Sequence, residues 1–97
     1  MSILHIVRKS AFSSNDLMQC LALICLNDTL VFIDDGCYNV NHPALKKSLL
    51  DMPQLRVNVM HNHAQARAIK IIEPMTTIEM KNLVALTFTH ENVITWQ

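Results

Sequence analysis

The chain has 97 residues, and its eight basic and eight acidic side chains give a formal net charge of zero. Direct binding to nucleic acid normally needs a concentrated positive face, so this charge balance argues against that class of function. The longest uninterrupted apolar run, residues 20–26, is far shorter than the roughly 20 residues that cross a bilayer, which argues against a membrane-spanning segment.

The composition also predicts how the folded surface should look. Only 16% of the residues are charged and 51% are hydrophobic, against about 25% and 45–50% in typical soluble domains. A single domain of this length, residues 1–97, leaves a large fraction of its surface in water. We therefore expect partner chains to cover the excess apolar surface, and we expect the isolated chain to homo-oligomerise.

Five apolar runs, separated by turn-like or amphipathic segments, predict short strands at residues 3–7, 30–33, 55–60, 69–72 and 93–96. Strands that alternate with helical segments are typical of an α/β fold. We expect a single three-layer domain, with a mostly parallel sheet of about five short strands and helices on both faces.

The first helix should begin near Ser13, which forms a capping box with Asp16. Phe12 and Leu17 occupy the two positions of a hydrophobic staple, which would direct the chain into that helix. Apolar residues then recur at positions i, i+4 and i+7, as on one face of a helix that stops at residues 27–28: Leu17, Leu21 and Ile24.

Two more helices are predicted before the fourth strand. Pro43 is tolerated in the first turn of a helix, Leu45 and Leu49 then share a face, and Pro53 marks the stop. A short helix with an apolar face made mostly of alanine is expected at residues 62–65.

The last helix should follow a second capping box, formed by Thr76 and Glu79, with Met75 and Met80 as its staple. Its predicted core-facing stripe consists of four residues: Met80, Leu83, Val84 and Phe88. The single glycine of the chain excludes a glycine-rich phosphate loop, so nucleotide-binding fingerprints are absent. We expect no cofactor.

The three cysteines are an odd number without a short repeated spacing, which argues against a disulfide framework. With no signal-peptide pattern at the start of the sequence, we expect a cytoplasmic protein with reduced thiols. Cys20 and Cys25 lie about 140° apart around a helix axis, so they cannot easily bind one metal ion or each other. We interpret both as small residues in the core or at its boundary. Cys37 follows two acids, which disfavour its thiolate, and we expect it to be a loop residue.

Other candidate residues offer little assembled chemistry. His61 and His63 form an H-x-H pair without a third ligand nearby in sequence, so we expect surface histidines and no metal site. Asp34 and Asp35 are expected to accept turn hydrogen bonds and not to act as an acid/base pair. Trp96 is either an anchor for a partner or a cap on its own core.

Several short motifs follow one another along the chain: Leu4-His5 with a basic residue and Ser10 after it, a capped helix, a strand leading into Asp35-Gly36, and a terminal strand closing on Trp96. Their order and spacing resemble the TusB/DsrH family over essentially the whole length. The sequence departs from that pattern at Ala11, where a proline often stands, and at residues 62–69, which lack the glycine usual before the fourth strand.

The resemblance implies a subunit of a sulfur-relay complex, not catalytic alone, which packs with two related small subunits (TusC/TusD-like or DsrF/DsrE-like) into a heterohexamer. One branch of the family relays sulfur from persulfide-carrying proteins toward 2-thiolation of the tRNA wobble uridine, and the other serves intracellular sulfur oxidation. In both branches the principal sulfur-accepting cysteine belongs to a partner. Cys20 matches a first-helix cysteine of many members, which some members of the tRNA branch lack, and is the candidate persulfide carrier.

Functions of other classes stay open at this point. A stand-alone thiol enzyme would use Cys20 or Cys37, and a self-associating binding module would need neither. Persulfide exchange requires a thiol with a lowered pKa. Because the sequence places acids but no basic residue near Cys20, a partner subunit would have to activate it.

Overall fold

The computed structural model describes residues 2–96 and confirms the α/β fold. The elements in chain order are β1 (Ile3–Val7), α1 (Asp16–Leu23), β2 (Thr29–Phe32), a 3₁₀ helix (Asp34–Asn41), α2 (Pro43–Asp51), β3 (Arg56–Met60), α3 (His61–Ala66), β4 (Thr76–Ile78), α4 (Met80–Thr89) and β5 (Asn92–Trp96). Within this part of the chain, no helix has the length and apolar character needed to span a bilayer.

The five strands form one parallel sheet in the order β4-β3-β2-β1-β5. From β1 the chain moves outward through β2 and β3 to β4, and α4 then carries it back to β5 on the other side of β1. Crossovers between parallel strands are right-handed, so connections that run in opposite directions lie on opposite faces of the sheet. We call the side covered by α1, α2 and α3 the three-helix face, and the side covered by α4 the single-helix face.

Each face has its own core. The cluster on the three-helix face includes residues from the central strands and from α1 and α2, among them Val7, Leu17, Leu30, Phe32 and Leu45. The cluster on the single-helix face is smaller and consists of Leu4, Ile6, Val31, Met60 and Leu83. Because β1 and β2 are buried on both sides, they read as nearly continuous apolar runs, which is why the sequence predicts them well.

The predicted fourth strand at residues 69–72 is wrong. This segment is irregular, and β4 lies further along the chain at Thr76–Ile78. Ile69 and Ile71 are half-buried and pack against the core of the three-helix face, so their apolar character serves a core-filling loop. The β-branched residues of β4 instead pair with β3 at the edge of the sheet.

The capping box predicted at Thr76 and Glu79 is also wrong, because Thr76 belongs to β4. Helix α4 begins at Met80 with Glu79 as its N-cap, and the reciprocal bonds of the capping box join Glu79 to Asn82. The backbone N–H of Glu79 donates to Oδ1 of Asn82 at 2.8 Å. Asn82 performs here the role that capping boxes usually give to Glu or Gln.

Most of the core-facing stripe predicted for α4 faces solvent. Leu83 is buried, with 8% of its surface exposed, but Phe88, Met80 and Val84 are exposed to 85%, 57% and 49%. Leu86, three residues after Leu83, completes the side that packs on the sheet. The helix is therefore apolar on its buried side and on much of its outer side.

The start of α1 differs from the prediction as well. The helix begins at Asp16, whose backbone N–H donates to the Ser14 hydroxyl at 3.1 Å, and the Ser13 capping box does not form. Phe12 is exposed and packs its ring on His42, with ring centroids 4.9 Å apart, so the predicted staple is wrong. The apolar stripe that starts at Leu17 is confirmed, since it packs on the core of the three-helix face.

Helices α2 and α3 confirm their predictions, with Leu45 and Ala64 as their buried residues. The 3₁₀ helix after β2 was not predicted. Gly36 in this helix lies so close to β1 that a Cβ atom built on it would be 2.1 Å from the carbonyl oxygen of Val7. Only glycine can occupy this position without moving the backbone.

Candidate sulfur site and assembly surface

Cys20, the candidate persulfide carrier, lies on the inner side of α1 and is fully buried. Burial, and secondarily the negative charge of Asp28, raises the pKa of the Cys20 thiol to about 12. The thiolate is the form that attacks a persulfide. Cys20 is therefore protonated at neutral pH and sealed from a donor protein in this conformation.

Asp28 is a buried charge that acts on this thiol. It lies between α1 and β2, and its carboxylate accepts hydrogen bonds from His5 Nε2 and from the backbone N–H groups of Ile3 and Cys25, each at 3.0 Å. Burial acts to raise the pKa of Asp28, but these hydrogen bonds outweigh it and lower the pKa below its ordinary value. Asp28 is thus an ionised carboxylate inside the fold, which explains its effect on Cys20.

His5 connects Asp28 to the C-terminal strand. Nδ1 of His5 accepts a hydrogen bond of 3.1 Å from the indole N–H of Trp96, and the two rings are stacked with centroids 6.2 Å apart. Trp96 is half-buried and packs against the core of the three-helix face. Of the two interpretations left open for Trp96, this contact is the one expected of a core cap.

The predicted strand at residues 3–7 contains His5, but the sequence does not indicate the partners of its ring. A histidine inside an apolar strand is a signal that something must satisfy its ring nitrogens, because unpaired buried polar groups are unfavourable. The partners lie 23 and 91 residues away in sequence, at Asp28 and Trp96. No local spacing links these three positions.

The other two cysteines differ from their predicted surroundings. Cys37 lies in the 3₁₀ helix and is fully buried, where a loop residue was expected. Burial raises the pKa of its thiol to about 11; Asp34 and Asp35 also raise it, while Arg67 acts in the opposite direction. Cys25 is exposed just beyond the end of α1, and is neither a core residue nor part of the helix.

The polar residues at the carboxyl end of β2 pair with one another. Asp34 accepts from Arg8 Nε at 3.3 Å, and Asp35 accepts from Arg67 Nε at 3.0 Å. Nδ1 of His63 accepts the backbone N–H of Asp34 at 2.9 Å. The two acids thus bind arginines, where turn hydrogen bonds were expected, and residues 2–96 contain no group of three His, Cys, Asp or Glu placed to hold a metal ion.

The outer side of α4 carries an exposed apolar stripe. We call Met80, Val84 and Phe88 the α4 stripe; they follow one another at spacings of four residues, as neighbours on one side of a helix do. Lys81 is the only charged residue within this helix. Contiguous exposed apolar patches mark interaction sites.

The open parallel sheet, the buried thiols of Cys20 and Cys37 and the apolar outer side of α4 define a small α/β domain. The sequence model of the family described as DsrH like protein matches residues 9–93. The chain belongs to this DsrH-like family, which makes it, in general terms, a sulfur-relay subunit. The resemblance stated from the sequence is thereby confirmed.

Comparison of structures gives the same fold. The protein is similar to the crystal structure of the YchN protein from E. coli, with a TM-score of 0.83 and 14% sequence identity over 99% of each chain. At this identity the likeness concerns the fold. No curated protein matches the sequence.

Proposed function

We propose that the protein is an assembly-forming subunit of a cytoplasmic sulfur-relay complex that supports 2-thiolation of the tRNA wobble uridine. Two related small subunits of the TusC and TusD type complete a heterohexamer with two copies of each chain. A cysteine of a partner subunit accepts the persulfide sulfur, and this chain shapes the surface around it.

The α4 stripe is the observation that carries the proposal. Phe88 leaves most of its ring in water, and Met80 and Val84 are about half exposed beside it. Burying an apolar side chain of this size contributes roughly 1.5–3 kcal/mol. An apolar surface of this kind favours association with another chain, and the low charge content of the sequence supports the same conclusion.

The state of the thiols supports an assembling role over a carrier role. Cys20, at the position of the family's first-helix cysteine, is buried and protonated, and Cys37 is held in the same way. A donor persulfide on another protein reaches Cys20 only if α1 moves away from the sheet.

The state of Cys20 is also compatible with the tRNA branch, which is the branch that we propose. The family resemblance includes tRNA-branch members that lack a cysteine at this position, so a complex of that branch works without a thiol there. A buried, protonated thiol in the first helix is compatible with such a complex.

The test is co-purification of the tagged chain from cells that also express the two related small subunits, with mass spectrometry of the complex and of digested tRNA. We expect all three chains to purify together and 2-thiouridine to disappear when the gene is deleted. A double variant, Val84→Ser with Phe88→Ser, should lose the partners and fail to restore thiolation. Leu50→Ser is the matched control, because Leu50 is 81% exposed on α2 and should retain both.

Three results would overturn the proposal. A monomer that transfers sulfur by itself would identify a stand-alone thiol enzyme. Unchanged 2-thiouridine after deletion, together with loss of sulfide oxidation, would assign the sulfur-oxidation branch. Full retention of the partners by the double variant would exclude α4 as the assembly surface.

A further inference from the structure

The hydrogen-bonded chain Asp28–His5–Trp96 joins three segments that are far apart in sequence. His5 lies in the middle of β1, Asp28 lies in the connection between α1 and β2, and Trp96 is at the end of β5. Both His5 and Asp28 are about 1% exposed, so water does not compete for their hydrogen bonds.

The partners determine which tautomer His5 adopts. Asp28 is ionised and can only accept, so Nε2 of His5 must carry the proton that lies on the 3.0 Å bond. An indole N–H can only donate, so Nδ1 of His5 must be unprotonated to accept the 3.1 Å bond from Trp96. The chain of bonds therefore requires a neutral imidazole with its hydrogen on Nε2.

We propose that His5 is a proton-sensitive latch, which holds Trp96 when neutral and releases it when a proton is added at Nδ1. Protonation places an N–H of the imidazolium directly opposite the N–H of the indole, and two donors cannot share one hydrogen bond. The bond to Asp28 persists and becomes an ion pair. Strand β5 has β1 as its neighbour in the sheet, so release of the indole loosens the end of an edge strand and leaves the other strands in place.

The groups that face His5 permit the addition of a proton. In the sheet its neighbours are Leu30 of β2 and Ile94 of β5, which are uncharged. The Cys20 thiol of α1, which responds to the charge of Asp28, stays protonated because its pKa is about 12. Asp28 is a charged group in contact with His5, and it provides a counter-ion for an imidazolium.

The inference rests on these contacts and not on the proposed sulfur-relay function. Addition of a proton at Nδ1 of His5 would change the surface that the end of β5 offers, whatever chain contacts it.

Trp96 is the only tryptophan, so its fluorescence reports on the latch in the full-length protein. Between pH 8 and pH 5.5 we expect the emission of the wild-type protein to shift to longer wavelength, with an unchanged far-ultraviolet circular dichroism spectrum. His5→Gln, whose amide can still donate to Asp28, should abolish the shift. His61→Gln is the matched control, because His61 is exposed at the start of α3 and should leave the shift unchanged.

Nitrogen-15 spectra of the wild-type imidazole give a measurement that does not depend on the folding of a variant. Spectra recorded at pH 8 and at pH 5.5 should show the Nε2–H tautomer where the indole N–H is protected and an imidazolium where it is released. After correction for the intrinsic pH dependence of exchange, the indole N–H should exchange roughly tenfold faster at the lower pH, as loss of one ordinary hydrogen bond predicts. A Nδ1–H tautomer at pH 8, or an emission and indole exchange that do not respond to pH, would overturn the proposal.

Discussion

On the three-helix face, 14 buried apolar residues of the described chain form one cluster, whereas the cluster on the single-helix face contains five. The first face also seals two thiols and the Asp28–His5 pair from solvent. The second is covered by α4, whose outer side is as apolar as a core stripe. The comparison indicates that the three-helix face holds the larger buried core, and that α4 on the other face presents an exposed apolar stripe of the kind found at interfaces.

The largest expected effect concerns the thiols of the three-helix face. At pH 8 the thiolate fraction of Cys20, with a pKa of about 12, is on the order of a thousandfold below that of an ordinary thiol with a pKa of about 8.5. Iodoacetamide should therefore modify Cys25 alone in the native protein, as read by peptide mass spectrometry. Cys25→Ser is the control that should remove the rapid reaction. Rapid native modification of Cys20 would show that this face opens.

Truncation of a core residue should lower the free energy of unfolding more on the three-helix face than on the single-helix face. Leu17 is fully buried in the larger cluster, so Leu17→Ala should lower the free energy of unfolding by about 3–5 kcal/mol. Leu83→Ala, in the smaller cluster and nearer solvent, should lower it by about 2 kcal/mol. Urea unfolding at constant m-value measures both, and equal losses would contradict the difference between the faces.

Acid should weaken the three-helix face through Asp28. Because the folded pKa of this carboxyl is lowered, its contribution is complete above its unfolded pKa of about 3.9 and is lost as the pH falls through the lower folded value. Asp28→Asn should reduce the free energy of unfolding at pH 7 by roughly 1.5–3 kcal/mol. It should also flatten the acid limb of the pH profile, which is the fall of that free energy at acidic pH.

The matched control for Asp28 lies on the single-helix face, where Thr29 Oγ1 and His90 Nε2 are 2.8 Å apart. Thr29→Val removes that hydrogen bond and should leave the acid limb of the profile unchanged. An acid limb that persists in Asp28→Asn would assign the pH dependence to another carboxyl.

The smallest effect on stability is expected at the α4 stripe. Because Phe88 packs little within the chain, Phe88→Ser should change the free energy of unfolding by less than about 0.5 kcal/mol. Self-association, measured by sedimentation, should nevertheless decrease. A large loss of stability with unchanged association would mean that the ring belongs to the intramolecular core.

These differences also explain how far the sequence predicts the fold. Strand β1 is predicted correctly because both its faces are buried, whereas α4 has apolar residues on two sides. The spacing of apolar residues identifies both sides of such a helix but does not show which side packs on the sheet. Leu83 and Phe88 are therefore both predicted to face the core. At residues 69–72 a β-branched run fills the core from a loop, and only tertiary contacts distinguish that from a strand.

The candidate site was predicted only in part. Cys20 could be singled out from the sequence, but its burial depends on how α1 packs. The raised pKa of its thiol follows first from that burial and second from the charge of Asp28, eight residues later. The links from His5 to Asp28 and Trp96 depend on the topology that places β5 beside β1. Contacts of this range leave no pattern in a single sequence.

Gly36 is the one glycine of the chain, and its contact with Val7 has a consequence for the charged end of the sheet. The N–H of Gly36 donates to the carbonyl oxygens of Arg8 and Ile33 at 3.0 and 2.9 Å, which fastens the 3₁₀ helix to the residue after β1. Arg8 and Asp34 border a cleft of about 470 Å³ at this edge. A methyl group on Gly36 would collide with the backbone of β1, so alanine at this position would displace the residues that border the cleft.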